Sequence, residues 1–258
     1  FFGVLFIYLF LAFMAIVVLV PFYWMIITSL KTNNEIRNEL TFFPQTIQWA
    51  NYSILFNGAE VGEFEGNTSP IRAFPFWTYL SNTLLVGVIS TAGTLVTTIF
   101  AAFAFSRLNF KGKDFLFTVF LGTMMIPGEM MVITNYMTVA SLGWLENYTG
   151  VMTAMIVPFW VSVFYIFQLR QNFKQIPNEL YYAAKVDGTG DFKYLLRVMV
   201  PIAMPTLITI TILKMMGAWN SYVWPRLITD DAAYFLVSNG IQEIRENGFG
   251  RENIPAMM

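Results

Sequence analysis

The sequence contains no cysteine and no histidine. The first absence removes disulfide frameworks and thiol nucleophiles, the second removes the commonest general base, and together they remove most zinc sites. Charge is scarce as well. Asp, Glu, Lys and Arg make up 12% of the 258 residues, about half of the roughly 25% usual in a soluble domain. What is there instead is apolar: 56% hydrophobic residues and a mean hydropathy of +0.57. The core that a chain of this length can build does not hide so much apolar surface, so lipid has to cover the rest.

A helix needs about 20 mostly apolar residues to cross the hydrocarbon. Such stretches run over Phe1 to Ile27, Phe76 to Phe105, Phe115 to Thr134, Tyr148 to Leu169 and Leu195 to Met216. The first is too long for the apolar core of a signal peptide, about 7–15 residues, and no A-x-A cleavage site follows it. Pro201 and Pro205 predict a bend at the start of the fifth. The sequence therefore reads as one all-α, polytopic transmembrane bundle over residues 1–258, with five visible spans and a sixth helix expected to begin near Pro255 to Met258.

Orientation follows from Lys and Arg. Residues 106–113 hold Arg107, Lys111 and Lys113, and residues 170–197 hold Arg170, Lys174, Lys185, Lys193 and Arg197, which places both segments in the cytoplasm. Residues 29–75 carry Glu35, Glu39, Glu60, Glu63 and Glu65 against three basic residues, and residues 135–147 carry only Glu146, so both face outward together with 217–254. The alternation implies a cytoplasmic N-terminus.

The segment at 175–197 is too patterned for a plain connector. Pro177 suits the first turn of a short helix, Glu179 complements the positive end of its dipole, and Gly188 is placed to end it in a left-handed cap. Ala183 and Ala184 give that helix a small-residue surface beside Leu180, Tyr181 and Val186, a surface that invites another protein to dock.

Here the sequence resembles the permease subunits of binding-protein-dependent ABC importers. Their cytoplasmic loop carries E-A-A, three residues, Gly, nine residues and I-x-L-P, and Ala183, Ala184, Gly188, Val198, Val200 and Pro201 occupy the matching places. One position departs: Tyr182 stands at the acid, with Glu179 three residues upstream. That leaves open any ion pair the family's acid would make with its partner. The runs SRLNFKGKD from Ser106, MMIPGE from Met124 and GAWNSYVWP from Gly217 are similar to the sugar-importing branch, the second permease of maltose-type systems.

The resemblance implies the type I importer permease fold, a multi-pass protein of the bacterial cell membrane and no enzymatic activity in this chain. It implies a coupling segment including Glu179, Tyr182, Ala183, Ala184, Asp187, Gly188 and Pro201. Its implied partners are a second, homologous permease, two ATP-binding subunits that hold ATP and Mg, an extracytoplasmic solute-binding protein and a sugar. No cofactor, metal or nucleic acid is expected on this chain. No G-x-x-x-x-G-K-[ST] exists here, so the nucleotide belongs to a partner.

For the solute path the candidates are Glu129, Trp219, Asn220 and Trp224, since sugars are held by aromatic faces and amide hydrogen bonds. An interfacial aromatic belt accounts for the Trp residues equally well. Glu129 and Lys214 fall near the expected outer ends of their helices and are read as snorkelling to water. Gly87, Ser90, Gly93, Thr94, Thr97 and Ala101 form a small-residue stripe suited to close helix packing. The alternatives are an importer of peptides or amino acids, an ion-coupled transporter, which calls for ionisable groups in midspan, and a membrane enzyme, which calls for a cluster of catalytic side chains absent here.

Overall fold

The computed structural model describes residues 2–38, 40–58 and 73–245, and among them there are helices and turns but no strand. In chain order the helices are α1 (Phe2–Ser29), α2 (Asn33–Asn38), α3 (Ala50–Asn57), α4 (Phe76–Ser106), α5 (Lys113–Gly122), α6 (Val132–Ser141), α7 (Tyr148–Ile156) and α8 (Val163–Gln175). They continue with α9 (Asn178–Val186), α10 (Asp191–Tyr194), α11 (Val200–Ile202), α12 (Met204–Trp219), α13 (Val223–Ile228) and α14 (Val237–Glu243). They fall into two compact units, one holding α1 to α3 and most of α14, the other running from residue 78 to residue 238.

In the first unit, α1 is 28 residues long, about 42 Å at 1.5 Å per residue, and so exceeds the roughly 30 Å of hydrocarbon. Its residues 3–23 are all exposed. The chain that follows is polar yet buried, and its polar groups are matched as burial demands. Asn51 in α3 donates to the carbonyls of Ser29 and Lys31 at 2.8 and 3.0 Å. The buried Glu35 carboxylate accepts from the Thr41 hydroxyl and the Gln45 amide. The segment expected to face outward thus has structure of its own as far as Gly58, whereas its Glu60, Glu63, Glu65 and Arg72 lie outside the described residues, as does the expected sixth helix.

In the second unit, α4 is a single helix of 31 residues. The other apolar stretches are broken. Lys113–Met125 and Gly128–Ser141 meet at 86°, Tyr148–Phe159 and Val163–Gln175 at 46°, and Asp191–Ile202 and Met204–Trp219 at 78°. Among the described residues two helices, α1 and α4, are long and apolar enough to cross a membrane, and five spans result if each bent pair counts as one. The third bend falls where Pro201 and Pro205 predict it. The first follows Pro127, so residues 115–134 are not one helix, and the second follows Pro158. Proline removes a backbone donor and clashes with the preceding turn, which favours a break at each of these places.

Two clusters hold this unit. One packs Phe103 of α4 with Leu169, Phe173, Tyr194, Met199 and Leu207, and the other packs Val86 of α4 with Val139, Met155, Trp224 and Leu236. Asn82 of α4 donates to the carbonyls of Ala233 and Phe235, and Thr83 accepts from the Val237 amide at 2.9 Å. The segment after α13 is thereby laced onto the first half of α4.

Candidate functional site

The segment at 175–197 is built as its sequence predicts, with two departures: Pro177 stands just before α9 rather than inside it, with Glu179 in the first turn, and Tyr181 and Ala184 face the core rather than the expected docking surface. At the far end Gly188 adopts φ +70°. The amide of Thr189 reaches the carbonyl of Ala184 at 2.8 Å and that of Gly188 reaches Lys185 at 3.0 Å, which together make a Schellman cap.

Tyr181 and Ala184 turn inward and pack on the cluster around Phe173 and Tyr194. The Tyr181 hydroxyl donates to Asp191 at 2.7 Å, and Lys185 pairs with the same carboxylate oxygen at 2.7 Å. Lys185 and then Tyr181 hold the Asp191 carboxyl below its ordinary range, while Asp191 raises the Lys185 ammonium. Burial, and after it the bond to Asp191, pushes the Tyr181 phenol up. A polar clip therefore joins α9 to α10 across the Gly188 turn.

A second anchor comes from α4 and the turn after it. Arg107, only 8% exposed, donates to the Phe173 carbonyl at 2.8 Å and also to the Ile176 carbonyl and the Asn178 side chain. These groups lie at the end of α8, just beyond it and at the first residue of α9, and the Phe173 carbonyl accepts the Ile176 amide as well. Arg170 bonds the Phe105 carbonyl at 3.0 Å, lies 3.8 Å over the Phe117 ring and pairs with Asp114 at 3.6 Å. Asp114 also occupies the first turn of α5, where a carboxylate complements the helix dipole. Sequence reasoning uses both arginines only as markers of sidedness; Arg107 holds the end of α8 to the start of α9, and Arg170 ties α8 to α4 and α5.

With one face pinned, the other is bare. Glu179, Tyr182, Ala183 and Val186, at helical spacing, are exposed, and so are Asp187 and Gly188; Tyr182 is 64% and Val186 88% accessible. Pro201 does not share this helix. It lies in α11, at the 78° bend.

The solute-path candidates separate. The break between α7 and α8 leaves the carbonyls of Phe159 and Trp160 without helical partners. Thr94 and Thr97 of α4 donate to them at 3.1 and 2.7 Å, and Lys214 of α12 adds a bond to Phe159 at 3.0 Å. Beside this break lies a cavity of about 410 Å³ whose lining includes Ser90, Ser162, Tyr165, Lys214, Ser221 and Trp224. Trp224 is buried, with its indole nitrogen bonded to the Ala154 carbonyl at 3.0 Å. Glu129, Trp219 and Asn220 are exposed and do not line the cavity; Asn220 bonds back to Met216 within its own helix. The Lys214 ammonium, read from the sequence as snorkelling to water, bonds the Phe159 carbonyl here. The small-residue stripe also finds its use here: a Cβ on Gly93 would overlap the Trp160 indole nitrogen.

Comparison with known proteins fits this geometry. Residues 93–248 match the family described as binding-protein-dependent transport system inner membrane component. The arabinooligosaccharides transport system permease protein AraQ of Bacillus subtilis is 26% identical over 239 residues, covering 92% of this chain and 79% of that protein. The inner membrane ABC transporter permease protein YcjP of Escherichia coli is 29% identical over 235 residues, 91% of this chain and 79% of its own. The sn-glycerol-3-phosphate transport system permease protein UgpE of Yersinia pestis is 27% identical over 230 residues, 89% of this chain and 77% of its own. The fold is that of a chain in the crystal structure of a bacterial ABC transporter involved in the import of the acidic polysaccharide alginate, with a TM-score of 0.76 at 21% identity over 99% of this chain and 89% of that one. Since the family match spans more than half of its length, this chain belongs to the inner membrane components of binding-protein-dependent transport systems, the permeases of ABC importers.

Proposed function

We propose that this chain forms one half of the pathway by which an ATP-driven importer carries a sugar or oligosaccharide into a bacterial cell. The observation that carries the reading is α9: a short helix braced on one face by Arg107 and Tyr181, with Tyr182, Ala183 and Val186 bare on the other. In this reading the bare face seats in a cleft of an ATP-hydrolysing subunit. ATP and Mg are bound there, on two such subunits, and the other half of the pathway is a second, homologous permease. Closure of the ATPase pair moves α9, and the cavity beside the α7–α8 break turns from the cytoplasm toward a solute-binding protein outside. The basic residues at 107–113 and 170–197 support a cytoplasmic N-terminus. The sugar class rests on the names of AraQ and UgpE and on the GAWNSYVWP run.

The test uses the absence of cysteine. Ala183→Cys and Val186→Cys, each the sole thiol of this chain in the assembled transporter, are expected to crosslink to the ATP-hydrolysing subunit, and solute uptake into vesicles is expected to require that subunit. Labelling of either thiol by an impermeant reagent from the extracellular side, or uptake without the ATPase, overturns the assignment.

A further inference from the structure

Lys214 is the observation that the sugar reading leaves unexplained. A cation on a membrane-spanning helix is costly and is normally kept for a task or paired with an acid. Lys214 has no such acid: among the described residues no carboxylate lies within 4 Å of its ammonium, and none of the residues lining the cavity beside it is Asp or Glu. Among the described residues its one hydrogen-bond acceptor is the Phe159 carbonyl, and the ammonium also lies 5.8 Å from the centre of the Phe159 ring. That carbonyl already accepts from Thr94, so the lysine is not needed to satisfy it. An ammonium carries three donors, and two remain.

The rest of the lining suits a hydroxylated solute with one negative group. Ser90, Ser162, Ser221 and Tyr165 bring hydroxyls to the wall, Trp224 brings an aromatic surface, and Lys214 is the sole formal charge. In a low-dielectric pocket an uncompensated ammonium draws anions strongly. We propose that Lys214 makes this cavity a subsite for the oxyanion of an acidic sugar, a uronate carboxylate or a sugar phosphate. The proposal rests on the importer reading and narrows its solute.

The experiment places a single thiol, Ser221→Cys, in the cavity wall of the assembled transporter in lipid and compares an anionic with a cationic methanethiosulfonate reagent. Rates are referred to those of a free thiol in solution. The anionic reagent is expected to be favoured about tenfold or more, the preference to vanish in Lys214→Met and to persist in Lys214→Arg. Glucuronate or glucose 6-phosphate is expected to slow the labelling at concentrations where glucose does not, and whichever acts names the group. A preference unchanged by Lys214→Met, protection by glucose equal to that by the acids, or protection by neither acid overturns the proposal. Stimulation of ATP hydrolysis by the solute-binding protein, measured on the same preparation, reports on the importer reading separately. If it is present while the labelling shows no preference, only the anion subsite falls.

Discussion

Thr97 sets its hydroxyl 2.7 Å from the carbonyl oxygen of Trp160, in the gap that separates α7 from α8. Thr94, one turn away, does the same for Phe159 at 3.1 Å, but Phe159 has Lys214 as a second donor. At this depth lipid offers no replacement partner, so the two threonines are unequal. Thr97→Val is expected to lower stability by about 1–3 kcal/mol, the cost of an unpaired carbonyl, and Thr94→Val by less. Thermal unfolding of the two variants in detergent checks the order, and equal losses would contradict it.

Gly93 faces the Trp160 ring so closely that an added Cβ would overlap its indole nitrogen. Gly93→Ala forces the ring or α4 to move, with an expected loss of about 1–3 kcal/mol. Gly93→Ala with Trp160→Phe replaces the indole by a smaller ring and is expected to recover part of the loss. Unfolding midpoints of the single and double variants decide the matter.

Arg107 satisfies the carbonyls of Phe173 and Ile176 at once. Arg107→Met leaves the Ile176 carbonyl without this donor, while the Phe173 carbonyl keeps the Ile176 amide at 3.3 Å, and is expected to destabilise the protein by about 1–3 kcal/mol. Arg107→Lys lacks the planar fork and recovers less than half. Faster hydrogen exchange across residues 173–186 than in the parent protein is the accompanying sign; unchanged exchange would show that the brace is not needed.

Gly188 holds φ +70°, a conformation unfavourable to side chains with a Cβ by about 1–2 kcal/mol. Gly188→Ala is expected to fray the last turn of α9 and to weaken coupling of ATP hydrolysis to uptake, with Gly188→Asn milder because asparagine tolerates this region. The ratio of solute imported to ATP hydrolysed measures it.

The clip of Tyr181, Lys185 and Asp191 has a defined pH window. Asp191 is held below its ordinary 3.8, so its contribution is complete above that value and is lost as pH falls through the lower, folded one. Lys185 is raised above its ordinary 10.5, so its contribution is complete below that value and is lost as pH rises through the higher, folded one. Amide exchange in α9, corrected for its intrinsic pH dependence, is expected to be flat from about pH 5 to about 9 and to rise below about 4. A step near neutrality would point to a different anchor.

How much of this is legible in the sequence depends on whether the signal is local. The helix α9 is readable end to end because its boundaries are set by Glu179 and Gly188, residues whose effect does not depend on the rest of the fold. The breaks after Pro127 and Pro158 are not, because a proline in an apolar run ends a helix only where neighbours such as Thr94 and Thr97 take up the freed carbonyls. The bond from Lys214 to Phe159 is not legible, because it depends on where the α7–α8 break falls against α12. Arg107 and Arg170 are visible as charges, but which carbonyls a guanidinium reaches is a tertiary fact. Of the proposed path residues, Trp224 reaches the cavity wall while Trp219 and Asn220 do not, a distinction that nearby positions in one motif conceal.

The bareness of α1 has a practical side. Its residues 3–23 turn outward on every side of the helix, with Phe6 at 70% and Tyr8 at 67% accessibility. Covering one such side chain is worth about 1.5–3 kcal/mol, so in plain buffer these helices would clump with one another. The protein is therefore expected to be monodisperse only inside a micelle or nanodisc broad enough to collar α1, and trimming residues 1–23 should relax that requirement more than any substitution elsewhere.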